Sequence, residues 1–248
     1  MLDIRCVHNV CLLTIDRPKR RNAIGHELVA ALAEALNKTD SDSSVGAIVL
    51  TGAPPGFCAG SDLQELSSVD LTGMCQHEAE TARLCRSFAF QRKPIIAAVD
   101  GFALGGGFVL AISCDIVVSS PDAKWGLPEV SIGWIPPWGL QALVARVGPS
   151  QARRLTWGEE NFDGREAHRL GIADFLAPEG QSATDAALER AHKIAQLPLP
   201  AVTATKRFFA PIAAGQAEPM DAMANLMFAE NCGHPVARQT LQKYGVKV

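Results

Sequence analysis

Gly101-Phe102-Ala103-Leu104-Gly105-Gly106-Gly107-Phe108-Val109-Leu110 joins a strand-like apolar run, residues 94–99, to a helix-capable run, residues 108–113. Three consecutive glycines at the head of a helix leave backbone N–H groups bare and let a ligand come close to the main chain. The helix dipole adds partial positive charge at the same point. Such a turn suits an oxygen that gains negative charge during a reaction.

Strands and helices alternate outward from this turn. Residues 10–15 are short and β-rich, and Asp16-Arg17-Pro18 ends them. Residues 27–36 carry Leu28, Ala31, Leu32, Ala35 and Leu36 at helical spacing. A polar turn at 40–44 precedes a buried strand at 45–50. The loop Ala53-Pro54-Pro55-Gly56 leads into Phe57-Cys58-Ala59-Gly60-Ser61-Asp62-Leu63. Residues 78–90 read as helix, and a helix at 106–113 and a strand at 116–119 follow the glycine turn. The alternation implies right-handed crossovers and a largely parallel sheet, an α/β fold. Past Pro128 the pattern turns helical, with runs at 139–147, 150–156, 165–170, 184–195, 202–210 and 220–231. Leu197-Pro198-Leu199-Pro200 reads as a hinge, dividing a core of residues 1–197 from a C-terminal helical segment of residues 198–248.

Composition bounds the function. The chain has 248 residues, 48% hydrophobic and 20% charged, enough for one large buried core. A net charge of -3 argues against nucleic acid or an anionic membrane as partner. The seven cysteines are scattered without a CxxC pair, which argues against structural zinc. Neither a signal peptide nor a membrane-spanning run is evident, and the expected compartment is reducing and cytoplasmic. GxGxxG, GxxxxGK[ST] and GxSxG are all missing, so NAD enzymes, nucleoside triphosphatases and α/β-hydrolases drop out. His77-Glu78-Ala79-Glu80-Thr81 begins like a zinc-protease helix but lacks the second histidine.

Two small-residue loops remain, Ala59-Gly60-Ser61-Asp62 and Leu104-Gly105-Gly106-Gly107. With Ile15-Asp16-Arg17-Pro18, Asn22-Ala23, Cys114-Asp115, Leu127-Pro128-Glu129-Val130 and Gly133, in that order, the chain resembles the crotonase superfamily of enoyl-CoA hydratases and isomerases. The resemblance runs from about Val10 to the C-terminal helices. It implies a spiral of β-β-α repeats, with the C-terminal helices used in a homotrimer or a dimer of trimers. It implies an acyl-CoA substrate, with coenzyme A as part of the thioester and no prosthetic group. It implies a thioester oxygen held between the backbone N–H groups of Ser61 and Gly106. Removing one such donor typically costs about 3 kcal/mol of transition-state stabilisation.

By the same resemblance, Ala23, Ala59, Asp62 and Leu63 are expected beside CoA. Lys19, Arg20 and Arg21, with Lys243 or Lys247, are expected to meet its phosphates. Leu66, Met74, Val109, Trp134 and Trp138 are expected at the acyl pocket, and the segment 66–74 is often mobile in relatives. The family's hydratases usually carry two glutamates. One matches Glu129; the other would stand three residues past Gly106, where this chain has Val109. That is one helical turn, so Val109 should face the same ligand. Valine moves no proton, so Glu129 is left to take a proton from one carbon and return it to another. Double-bond isomerisation is therefore the expected reaction, with hydration or hydratase-lyase chemistry by Glu129 alone as the alternative. A lyase acting on a phenolic acyl group would want tyrosines, and the chain has only Tyr244. A non-catalytic acyl-CoA-binding protein is the reading from another class; Val109 motivates it and Glu129 opposes it.

Trp125, Trp134, Ile135, Pro136, Pro137 and Trp138 neighbour Glu129 in sequence. If they also surround it in space, burial raises its pKa toward neutrality. Trp134 and Trp138 fit a pocket wall or a subunit contact equally well. Outside the motifs, His77, His168, His192 and His234 read as surface or capping residues, and Cys58 and Cys114 as small core residues.

Overall fold

The computed structural model describes residues 1–158 and 161–243. The chain starts with a hairpin of β1 (Leu2–Val7) and β2 (Val10–Ile15), turned through positive φ at His8 and Asn9. Cys6 and Cys11 face each other across it and are joined by a disulfide, so the cysteines are not all free thiols. Then come α1 (His26–Ser41), β3 (Ala47–Gly52), α2 (Leu63–Leu66), α3 (Leu71–Ser87), β4 (Ile95–Val99) and β5 (Phe102–Leu104). They are followed by α4 (Gly106–Ile112), β6 (Ile116–Ser119), β7 (Lys124–Gly126), α5 (Leu140–Thr156) and α6 (Gly164–Arg169). The chain closes with β8 (Phe175–Leu176), α7 (Ala183–Ala195), α8 (Leu199–Ala214), α9 (Ala217–Cys232) and α10 (Pro235–Lys243). No helix among the described residues is long and apolar enough to cross a membrane.

The main sheet runs β1-β2-β3-β4-β6-β8, parallel throughout except for the β1-β2 pair. β5 and β7 form a second, two-stranded parallel sheet. β4 is buried along its whole length and β3 nearly so, because both faces of the sheet are covered. On one face, Leu13, Ile48, Leu50, Ile95 and Ala97 join the main core with Leu28 and Leu32 of α1 and Leu84 of α3. On the other, Val49, Ile96, Ala98 and Val118 pack on Ala183, Ala187 and Ala191 of α7, whose small residues let the helix lie close. The α/β architecture with a helical C-terminal region agrees with the sequence reading.

Local chemistry sets the helix starts. Asp62, Asp70, Asp163 and Ser182 each accept the N–H three residues on, capping α2, α3, α6 and α7. Gly148, at φ 75° and ψ 164°, breaks α5 ahead of Pro149, which is why the sequence shows two helical runs there. α1 runs through the turn expected at 40–44 as far as Ser41. Across residues 66–74, α2 ends at Leu66 and α3 begins at Leu71, so only residues 67–70 lie outside a helix, and Leu66 and Met74 are both buried. His77 is no surface residue either, being fully buried on α3 with Nδ1 3.2 Å from His26 Nδ1.

Candidate active site

The two small-residue loops meet at the ends of β3 and β5. Leu104 donates its N–H to the Cys58 carbonyl at 3.0 Å, and Cys58 and Ala103 form an isolated bridge. Gly105 turns the chain into α4 at φ 54° and ψ -127°, a conformation that favours glycine. A side chain on Gly107 would begin 2.2 Å from the Cys58 carbonyl oxygen, so only glycine lets the loops approach this closely. The approach sets Ser61 N 3.5 Å from where a Gly106 side chain would begin. Neither the Ser61 N–H nor the Gly106 N–H has an acceptor among the described residues. Ser61 and Gly106 thus bring two adjacent, unspent donors to the lining of one pocket, the pair the sequence assigns to a thioester oxygen.

Glu129 follows β7 through Leu127 and Pro128 and opens a single 3-10 turn that ends at Gly133. Its side chain is 7% exposed, and Oε2 is buried without a hydrogen-bond partner. Burial pushes its pKa up to about 7; its own backbone N–H opposes the shift and the charge of Glu78 adds to it. Trp134, Pro136, Pro137 and Trp138 line the same pocket. Two of the expected neighbours do not. Trp125 is turned into the core, where its indole N–H donates to Ser119 Oγ at 3.0 Å. Ile135 lies on the far side, in a hollow with Leu140 and Trp157.

Val109 is buried in the pocket wall one turn past Gly106, as expected, with Met74 and Leu63 also lining it. Leu66 does not reach the wall; it backs it, packed with Met74 and Trp134. Trp134 meets Phe228 of α9 edge to face at 5.8 Å, and Trp138 covers Gly106, so both belong to the pocket wall. Phe228, from the C-terminal segment, and Glu78, from α3, complete the lining; the sequence reading assigns neither to the pocket.

The expected CoA side is partly spent on the protein itself. Ala59 and Arg21 line the pocket, Arg21 lying 4.7 Å over the Phe102 ring. Asp62 does not turn its carboxylate toward a ligand. It is buried, accepts from Arg17, Arg20 and the Glu65 N–H, and so fixes the loop that carries Ser61. Burial acts to raise its pKa, but the Arg20 hydrogen bond, the Glu65 N–H and the two arginine charges outweigh it and the net shift is downward. Arg20 is thereby committed to an ion pair instead of standing free for a phosphate. Ala23 is buried with its carbonyl accepting from Arg17, away from the pocket lining. Lys19 and Lys243 are exposed, while Lys247 and Tyr244 lie outside the described residues. Among the described residues no group of three His, Cys, Asp or Glu could hold a metal ion.

The arrangement thus offers two donors for a developing oxyanion, one near-neutral carboxyl beside them and an apolar slot. Comparison with known proteins gives a consistent picture. Residues 5–245 match the enoyl-CoA hydratase/isomerase family. A probable enoyl-CoA hydratase of Rhizobium meliloti (strain 1021) is 40% identical over 199 residues, 79% of this chain and 76% of that protein. The 2,3-dehydroadipyl-CoA hydratase of Escherichia coli (strain K12) is 36% identical, over 75% of this chain and 72% of its own length. An enoyl-CoA hydratase/isomerase from Mycobacterium paratuberculosis superposes with a TM-score of 0.86 at 26% identity, covering 98% of this chain and 97% of that one.

Proposed function

The chain belongs to the enoyl-CoA hydratase/isomerase family, and from that premise we propose that it converts enoyl-CoA thioesters through an enolate whose C2 proton is moved by Glu129. The observation that carries this reading is the buried Glu129 carboxyl, its pKa raised to about 7, next to the free N–H groups of Ser61 and Gly106. An acid that is half ionised near neutral pH can both accept and return a proton. The two N–H groups stabilise the negative oxygen while the proton is away. Because Val109 contributes no acid, Glu129 by itself suffices for one reaction: shifting a double bond between C3 and C2. Isomerisation is therefore the first reading.

Hydration is the second reading, favoured by two observations. The relatives of this chain named above are called hydratases, and Glu78 is a further carboxylate in the pocket lining. The C-terminal helices would build a trimer through the exposed apolar side chains of α8 and α9. The test of function is a set of three thioesters on purified protein: a 3-enoyl-CoA, a 2-enoyl-CoA and a 3-hydroxyacyl-CoA, with products resolved by mass and chromatography. Conversion of the first to the second supports isomerisation. Mass gain from the second without isomerisation supports hydration. CoA binding without turnover of any of them would refute the enzymatic reading.

A further inference from the structure

The pocket holds one carboxylate that proton transfer at Glu129 does not use. Glu78 of α3 is 4% exposed, yet it lines the same pocket as Glu129, Ser61 and Gly106. Its Oε2 accepts the indole N–H of Trp138 at 2.6 Å. Its Oε1 takes no hydrogen bond from a described residue and is not sealed from the pocket. Open to the pocket, this oxygen can accept from an O–H or N–H that enters there, a water included. Met74, Val109 and Phe228 in the same lining carry no side-chain donor, and no described residue donates to Oε1.

Trp138 fixes where this carboxylate stands. The indole that holds Glu78 also packs its Cζ2 3.2 Å from the point where a Gly106 side chain would begin. Glu129 Oε1 lies 2.9 Å from the corresponding point at Gly105. Two carboxylates thus converge on neighbouring glycines of the oxyanion turn, one directly and one through a single ring. They are close enough for the charge of Glu78 to act on Glu129.

We propose that Glu78 is a second catalytic carboxylate, holding the water that adds to C3 of the acyl group while Glu129 serves C2. The proposal rests on the enolate reading of Glu129 and selects water addition from its two outcomes. As the water oxygen bonds to C3, Glu78 Oε1 takes one of its protons, breaking that O–H bond. The C2–C3 π electrons pass to the thioester oxygen, held by Ser61 and Gly106. Protonated Glu129 then gives its proton to C2 as the enolate collapses. One water is consumed and a 3-hydroxyacyl thioester forms. The proton gained by Glu78 and the one lost by Glu129 re-equilibrate through solvent when product leaves. The acid absent at Val109 on α4 is supplied from α3 instead.

Glu78→Gln keeps an acceptor for the Trp138 N–H while removing the base, so it is the conservative test. Two rates are measured on wild type and variant: water addition to a 2-enoyl-CoA, and exchange of the C2 protons of a saturated acyl-CoA in deuterium oxide. Exchange needs only Glu129 and the oxyanion pair. The expected result is hydration lowered by about 100-fold or more, the range for loss of a general base, with exchange within about threefold of wild type. Hydration left intact in the variant would overturn the proposal. So would equal loss of both rates, since that assigns Glu78 to holding the site together. A wild type that exchanges protons but adds no water would overturn it too, leaving the enolate reading in place. Absence of both activities in the wild type would instead remove the enolate reading beneath it.

Discussion

Glu129 Oε1 lies 2.9 Å from the position a methyl group would take on Gly105, so the carboxyl of the proposed base rests against the glycine turn. The backbone at φ 54° and ψ -127° favours glycine there, and the carboxyl occupies the space a side chain would need. In Gly105→Ala the flexible carboxyl would be pushed aside, and the backbone would be strained at φ 54°. A strained φ of this kind costs about 1–3 kcal/mol. Displacing a catalytic group by about 1 Å costs on the order of 100-fold in rate. The expected outcome is a variant that folds with a lowered melting temperature and loses turnover far out of proportion to that loss. Steady-state kinetics with thermal melts check it; unchanged turnover would remove the contact from the account.

The pKa of Glu129 sets a pH dependence whose sign is fixed. The folded protein holds this proton more tightly than the unfolded chain, with a pKa of about 7 against an ordinary 4.5. The stability it contributes is complete below pH 4.5 and is lost as pH rises through 7, by about 3 kcal/mol in all. Glu129→Gln is therefore expected to be more stable than wild type above pH 7, and to converge with it below 4.5. Urea midpoints at pH 4.5 and 8.5 measure the difference; a difference independent of pH would contradict the buried, near-neutral carboxyl.

Much of this site is legible in the chain itself, and the reasons for the remainder are physical. The glycine turn, Ser61, Val109 and Glu129 are readable because a turn and its neighbours are local in sequence. Glu78 is not, because α3 brings it in from a distant part of the chain and its local pattern is only an incomplete zinc-protease-like run. Arg20 and Asp62 look like free charges until the fold pairs them. Trp125 sits in β7 with its side chain toward the core, a direction that nearness to Glu129 in sequence does not disclose. β8, two residues long, gives too short a pattern to read.

Asp62 is expected to act on the site through structure. Removing the carboxylate in Asp62→Ala takes the ion-pair partner from Arg20, leaves Arg17 with Glu65 at 3.6 Å and leaves α2 uncapped. Breaking a buried ion pair typically costs about 3–5 kcal/mol; here the two partly exposed arginines bring the expected loss to about 2–3. The Ser61 loop loosens with it, so CoA affinity and turnover fall together. Equilibrium unfolding and CoA titration measure this, and a variant of wild-type stability would contradict the assignment.

Phe208 of α8 and Leu226 of α9 are 71% and 70% exposed, unusual values for such large apolar side chains. Phe209, Ile212 and Met223 on the same two helices are exposed as well, and we propose these side chains as the contact of a trimer. Sedimentation is expected to give a trimer or a dimer of trimers for wild type, and smaller species for Leu226→Asp. A monomeric wild type would exclude that assembly.

The proposed reaction turns on Glu129 moving the C2 proton of a bound thioester. Its most direct measurement is C2 proton exchange of a saturated acyl-CoA in deuterium oxide by Glu129→Gln, with CoA affinity measured alongside. Exchange is expected to fall by about 100-fold to 10,000-fold, as for loss of a general base, while affinity stays within a few-fold of wild type. Exchange at the wild-type rate in the variant would contradict it.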